Sequence, residues 1–366
     1  MNTTDIDTGL ARYSDWAFTS SVLVLLAALL LLAIELAYSR SRRVETRELV
    51  AAGAAPAATS GHGAAPAATS GHGAAPAATS GHGAAPAATL GHGAPVDANS
   101  ATPGVVVDVP RRSVHERIGA AGLALVYLGI ALLLGCIVLR GLSTSRVPWG
   151  NMYEFINLTC FFGLVAAAVV LRRPQYRSLW VFVLVPVLIL LTVSGRWLYS
   201  NAAPVMPALQ SYWLPIHVSV VSVGSGVFLV AGVASVLFLL KMSRLGDPGR
   251  SDVLGRIVQK LPDAQVLDRI AYRTTIFAFP VFGFGVIFGA IWAEEAWGRY
   301  WGWDPKETMA FIAWVIYAAY LHARSTAGWR DRKAAWINVV GLIAMIFNLF
   351  FINLVTAGLH SYAGVG

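Results

Sequence analysis

Charge is what this 366-residue chain has least of. Asp, Glu, Lys and Arg together make up 13% of it, about half the roughly 25% of soluble domains. Apolar types make up 56% and mean hydropathy is +0.62. So little charge excludes a globular enzyme with polar surface on every side, and so much apolar matter excludes a disordered tail. Cysteine is nearly absent as well. Cys136 and Cys160 both fall inside apolar runs without C-x-x-C spacing, so they read as buried thiols and not as a redox pair or a disulfide framework. No secretory cleavage pattern follows the first apolar run, which is expected to stay in place.

What is there are runs long enough to cross a bilayer, which takes ~20 apolar residues. Eight candidates cover 17–38, 118–139, 152–171, 178–195, 216–240, 275–293, 308–322 and 336–358, the seventh being the shortest. The expectation is an all-α polytopic membrane protein. The net charge of +8 would suggest nucleic acid in a soluble chain, but here the basic residues sit in short loops. With the N-terminus outside, the outer side keeps Arg12, Arg140, Arg146, Arg196, Arg299 and Lys306, and all other Lys and Arg fall inside. That asymmetry places both termini outside.

Residues 54–93 are four copies of the decamer AAPAATSGHG, with Leu90 replacing Ser in the last. Ala, Pro, Gly and Thr at period ten offer no face to bury, so the array reads as a flexible inner linker. Its histidines, His62, His72, His82 and His92, give at most a weak metal or haem site. The chain thus divides into a membrane anchor over 1–39, a cytoplasmic linker over 40–115 and a membrane core over 116–366. Residues 250–273 mix apolar and basic positions at helical spacing. They read either as one or two short helices on the inner membrane surface, broken at Pro262, or as a solvated connector.

Outside the repeat four histidines remain. His217 and His360 fall at the outer boundary, His115 and His322 at the inner one. Any one of them suits a structural role, but two from distant sequence on one side suggest a shared ligand, and imidazole is a common ligand of haem iron. At the same outer level lies a loop with Trp292, Trp297, Tyr300, Trp301 and Trp303. An aromatic belt anchoring helix ends explains one or two rings. Five in twelve residues, with Gly298 and Gly302 between them, suit a platform for a flat apolar ligand whose carboxylates Arg299 and Lys306 would meet. Asp304-Pro305-Lys306-Glu307 has the pattern of a capping box opening the seventh span. His322 follows Asp304 by 18 residues, or ~27 Å of helix. It is either a snorkelling helix end or a ligand at an inner stop. Glu154 enters the third span and needs a partner, with Arg140, Arg146 and Arg196 as candidates. Pro215 sets the entry angle of His217.

These motifs carry a resemblance. WGRYWGWDPKET over 297–308 resembles the tryptophan-rich "WWD" signature of haem-handling membrane proteins. The run from Leu261 to Arg324, ending Tyr320-Leu-His322-Ala-Arg, resembles the CcsA/ResC family of system II cytochrome c biogenesis. Leu214-Pro-Ile-His217-Val and Gly358-Leu-His360-Ser-Tyr resemble that family's two outer histidine motifs. The likeness covers about 120–360 and omits the repeat. It implies that His217 and His360 are outer axial ligands of haem b, held non-covalently in transit against the loop 292–307. It implies that His322 is an inner transit ligand, paired with a histidine of a ResB-type partner. Haem would be presented to the CxxCH segment of an apocytochrome c, with holocytochrome c synthase activity arising only in complex, alongside a thiol reductant system. The expected location is a bacterial plasma membrane with the haem site extracytoplasmic, and no nucleic acid is involved. Having no CxxCH, the chain is not itself a c-type cytochrome. The rivals are a haem exporter loading a chaperone (CcmC-like), a transmembrane b-type cytochrome, and a non-haem transporter to which Ser222, Asn348 and Asn353 would belong.

Overall fold

Eight long helices run up and down in a computed structural model that describes residues 6–38, 114–204 and 209–360. The helices are α1 (Thr8–Tyr38), α2 (Val114–Thr144), α3 (Met152–Val170), α4 (Leu179–Trp197), α5 (Trp213–Lys241), the short α6 (Val253–Gln259), α7 (Ala264–Trp297), α8 (Pro305–Ser325) and α9 (Arg332–Phe347), which continues into a π-turn over Asn348–Ile352. No strand occurs among the described residues. The expected all-α polytopic membrane architecture is the one observed. The decamer array with its four histidines, and Pro207, lie outside the described residues.

Among the described residues, seven helices are long and apolar enough to cross a membrane; α8 is not one of them. Its 21 residues are long enough, at ~1.5 Å each, but Lys306, Glu307, His322 and Arg324 dilute its ends. Asp7 N–H donates to Ser143 O at the end of α2 (3.0 Å), Arg140 of α2 reaches Glu154 of α3 (3.1 Å), and the neighbouring Phe155 faces Lys306 of α8. Asp7 and the start of α8 therefore lie at the same end of the bundle. The span limits differ mainly in α7. The sequence pattern starts that span at 275 and puts surface helices before it. In the structure only α6 is separate, and Asp263, following Pro262, opens one helix of 34 residues that absorbs 264–274. Proline stops one helix here and leaves the next free to start.

Small residues set the packing, as expected where lipid removes the hydrophobic drive between helices. Down the α1–α2 pair, Ser14 Oγ donates to Cys136 O (2.9 Å) and Ser21 Oγ to Gly129 O (2.8 Å), while a Cβ at Gly122 would meet Leu32. The descending partner numbers make the pair antiparallel. Down the α5–α7 pair, Gly224 faces Phe282, Val221 faces Gly285 and His217 faces Gly289. Helices α3 and α5 meet where a Cβ on Gly226 would lie 2.5 Å from Gly163 N. Both cysteines are buried free thiols. At the opposite end of the bundle, Lys260 Nζ donates to the last carbonyls of α1, Leu36 O (2.5 Å) and Ala37 O (2.7 Å). Tyr38 stacks on His115 at the start of α2, with centroids 5.6 Å apart.

Candidate functional site

His217 is held in the second turn of α5 by three features. Trp149 Nε1–H donates to Pro215 O (3.0 Å) and to Ser219 Oγ (2.8 Å), gripping the first turn. Proline is tolerated there because first-turn N–H groups have no intrahelical acceptor. Gly289 leaves room beneath the ring, since a Cβ on it would come within 2.6 Å of His217 Cε1. Nδ1 lies 2.8 Å from Gly285 O. A carbonyl only accepts, so Nδ1 carries the proton and Nε2 carries the lone pair. Trp149 was not among the residues singled out from sequence; its signal is only that it precedes a glycine at a helix entry.

His360 arrives from the C-terminal side of α9 and is held by α8. Asp304 caps α8, accepting from Lys306 N–H (3.2 Å), while Glu307 Oε2 reaches back to Asp304 N–H (3.1 Å) and to Gly302 N–H (2.8 Å). The same Asp304 carboxylate accepts from Leu359 N–H at Oδ1 (2.7 Å) and from His360 Nδ1 at Oδ2 (2.8 Å). Gly358 permits this approach, a Cβ there falling 2.6 Å from Oδ1. Burial pushes the Asp304 carboxyl up, but the bonds from His360 and the Leu359 N–H outweigh it and hold it below the ordinary carboxylate range. As in His217, Nδ1–H donates and Nε2 carries the lone pair.

Trp292, 1% exposed, lies between the two imidazoles. It is stacked on His217 (6.1 Å, 13°) and edge-on to His360 (5.9 Å, 67°), with Trp297 5.0 Å from His360. These rings border a cavity walled by α3, α4, α5, α7, α8 and α9, which encloses about 1110 Å³ of space between atoms, part of it open to solvent. Its walls run down α5 from His217 to Leu229, or ~18 Å. Tyr300, Trp301 and Lys306 also line it. Lys306 Nζ donates to Asn353 Oδ1 (2.5 Å) and stands 6.0 Å from the Phe155 ring. The π-turn turns the Asn353 amide this way round, because its Nδ2 donates to Asn348 O (3.2 Å) and Leu349 O (2.7 Å).

Three residues singled out from sequence stand apart. Trp303 is 69% exposed and does not line the cavity; its φ of 57° turns it away, edge-on to Trp301. That left-handed backbone is rare for a bulky side chain and costs ~1–3 kcal/mol. Arg299 is exposed and folds over Gly302, outside the cavity wall. His322 is exposed near the other end of α8, 16 residues or ~24 Å beyond Lys306. Glu154 has the partners expected in Arg140 and Arg146, whereas Arg196 makes no ion pair with it.

No group of three or more His, Cys, Asp or Glu gathers to bind a metal among the described residues. Two imidazoles with fixed lone pairs, aromatic walls and a lysine suit a metal that brings most of its own ligands in a flat, apolar, carboxylate-bearing ring. Fold and site thus define a polytopic membrane protein with an apolar cavity bordered by two histidines at one end of its bundle. The model of the family described as cytochrome C assembly protein matches residues 149–360. Cytochrome c biogenesis protein CcsA of Rippkaea orientalis is 33% identical over 310 residues, covering 69% of this chain and 90% of that protein. The CcsA proteins of Prochlorococcus marinus (34% over 251 residues, 62% and 78%) and Synechococcus elongatus (34% over 286 residues, 67% and 87%) are similar. The chain belongs to the CcsA family of cytochrome c assembly proteins, and its role lies in cytochrome c biogenesis.

Proposed function

We propose that this chain is the haem-holding membrane subunit of a system II cytochrome c synthase, sited in a bacterial plasma membrane with its cavity at the extracytoplasmic side. The observation that carries the reading is the pair His217 and His360, each with Nδ1 committed to an acceptor and both lining one apolar cavity. Haem b, as cargo, brings an iron that takes two axial imidazoles and vinyl groups to which cysteine thiols of an apocytochrome CxxCH add. The protein's own part is positional. His217 and His360 offer Nε2 lone pairs, Trp292 and Trp297 supply apolar ring surface, and Lys306 meets a carboxylate from inside the cavity wall. Arg299 meets the other carboxylate only if the exposed loop carrying it, with Tyr300 and Trp303, folds over the mouth. His322, exposed at the far end of α8, completes an inner transit site with a histidine of a ResB-type partner, and synthase activity belongs to that complex, supplied with reduced apocytochrome thiols.

The test is the visible spectrum of the full chain purified in mild detergent with a ResB-type partner, wild type against His217→Ala and His360→Ala. A bis-imidazole b-type spectrum, weakened in both variants and restored by added imidazole, is the expected result. A spectrum indifferent to both substitutions overturns the reading. Wild-type haem that passes to a chaperone without attachment to CxxCH would favour the exporter.

A further inference from the structure

Asp304 belongs to a helix cap by sequence, yet it makes more bonds than a cap needs. An N-cap side chain satisfies one or two N–H groups of its own first turn. This carboxylate, 7% exposed, also accepts two donors from a segment 55 and 56 residues further along, the Leu359 N–H and His360 Nδ1. The imidazole it holds borders the cavity and packs on Trp292 and Trp297. We propose that Asp304 is a positioning residue for haem, fixing the tautomer and direction of the His360 ring so that Nε2 meets the iron. A carboxylate behind an imidazole raises its basicity, which strengthens the bond to ferric iron more than to ferrous iron and lowers the reduction potential. His217, backed only by a carbonyl, receives no such charge. The two axial ligands are therefore unequal, with His360 the stronger donor. This inference rests on the proposed haem site and adds to it an assignment of which residue sets the ligand strength.

Asp304→Asn separates the two duties, because Asn caps helices as well as Asp but carries no charge. The measurement is haem titration and redox potentiometry on the full chain with its ResB-type partner, together with thermal unfolding in the same detergent. Expected for Asp304→Asn are a 10–100-fold weaker affinity for ferric haem, a more positive midpoint potential and, because the amide nitrogen would face the Leu359 N–H, only a modest fall in melting temperature. In the His360→Ala background without added imidazole, where no ring stands against the carboxylate, Asp304→Asn should change neither affinity nor potential. Asp304→Ser, another good cap, serves if the Asn variant fails to fold. Unchanged affinity and potential in both Asp304 variants, or a loss that persists in the His360→Ala background, overturns the proposal while the haem site stands. Spectra indifferent to His217→Ala and His360→Ala overturn both.

Discussion

Two buried polar groupings sit near the same end of the bundle, and they are built in opposite ways. Around Glu154 every charge meets its complement. The carboxylate takes Arg140 Nε (3.1 Å), Arg146 through both terminal nitrogens (3.0 and 3.2 Å) and Gly150 N–H (2.8 Å). Arg140 in turn donates to Ser200 O and lies 3.7 Å from Asp15. Around the cavity, Lys306 has one neutral amide as its acceptor, and both imidazoles turn their protonated nitrogen away from the lone pair. A cluster that closes on itself holds a fold together; one whose polar groups border open space is arranged for something that arrives.

Substitution should break that contrast in a definite order. Glu154→Ala leaves two guanidinium groups facing each other without their carboxylate and should cost about 3–5 kcal/mol, read as a lower unfolding temperature. Lys306→Met orphans only the Asn353 amide oxygen and should cost less, about 1–3 kcal/mol, while weakening haem binding. A Lys306→Met variant as unstable as Glu154→Ala would erase the distinction. Gly289→Ala pushes a methyl to 2.6 Å from the His217 ring. Overpacking of this kind costs ~1–3 kcal/mol and should displace the ligand, so that the haem spectrum loses its bis-imidazole character. The smallest effect concerns pH. Asp304 is held below the ordinary carboxylate range, so the stability it contributes is complete above pH ~4 and is lost as pH falls through its depressed value. The gap in melting temperature between wild type and Asp304→Asn, small at neutral pH, should close further on acidification below pH 4. A gap that widens on acidification would reverse the sign of the effect.

The spans were legible in the sequence because twenty apolar residues have few other uses. Their limits were less so. Helix α1 begins at Thr8, nine residues before its apolar run, because Asp7 Oδ1 accepts the Leu10 N–H (3.0 Å) and starts the helix among polar residues. Helix α7 absorbs 264–274 because Asp268 is paired with Arg324 (2.8 Å) and Thr274 and Thr275 return their hydroxyls to their own helix. The capping box at Asp304 was equally legible, being a local pattern of four residues. Its hold on His360 was not, since that depends on where α9 ends and on a π-turn that no propensity announces. The aromatic loop shows the same division. Its ring density suggested a platform, but only backbone geometry separates Trp297 and Trp301, which line the cavity, from Trp303, which faces out.

Lys260 grips the end of α1 and Tyr38 stacks on His115 at the start of α2, so the two helix ends that flank residues 39–113 are neighbouring, fastened points. The tandem decamers fall between those points. The entropy of closing a chain loop grows only as ~(3/2)RT ln n, so one more ten-residue copy adds on the order of 0.1 kcal/mol. Copy number is thus nearly invisible to folding. Replication slippage can lengthen or shorten the array by a decamer without moving a helix, and drift in repeat number is what such tethering permits.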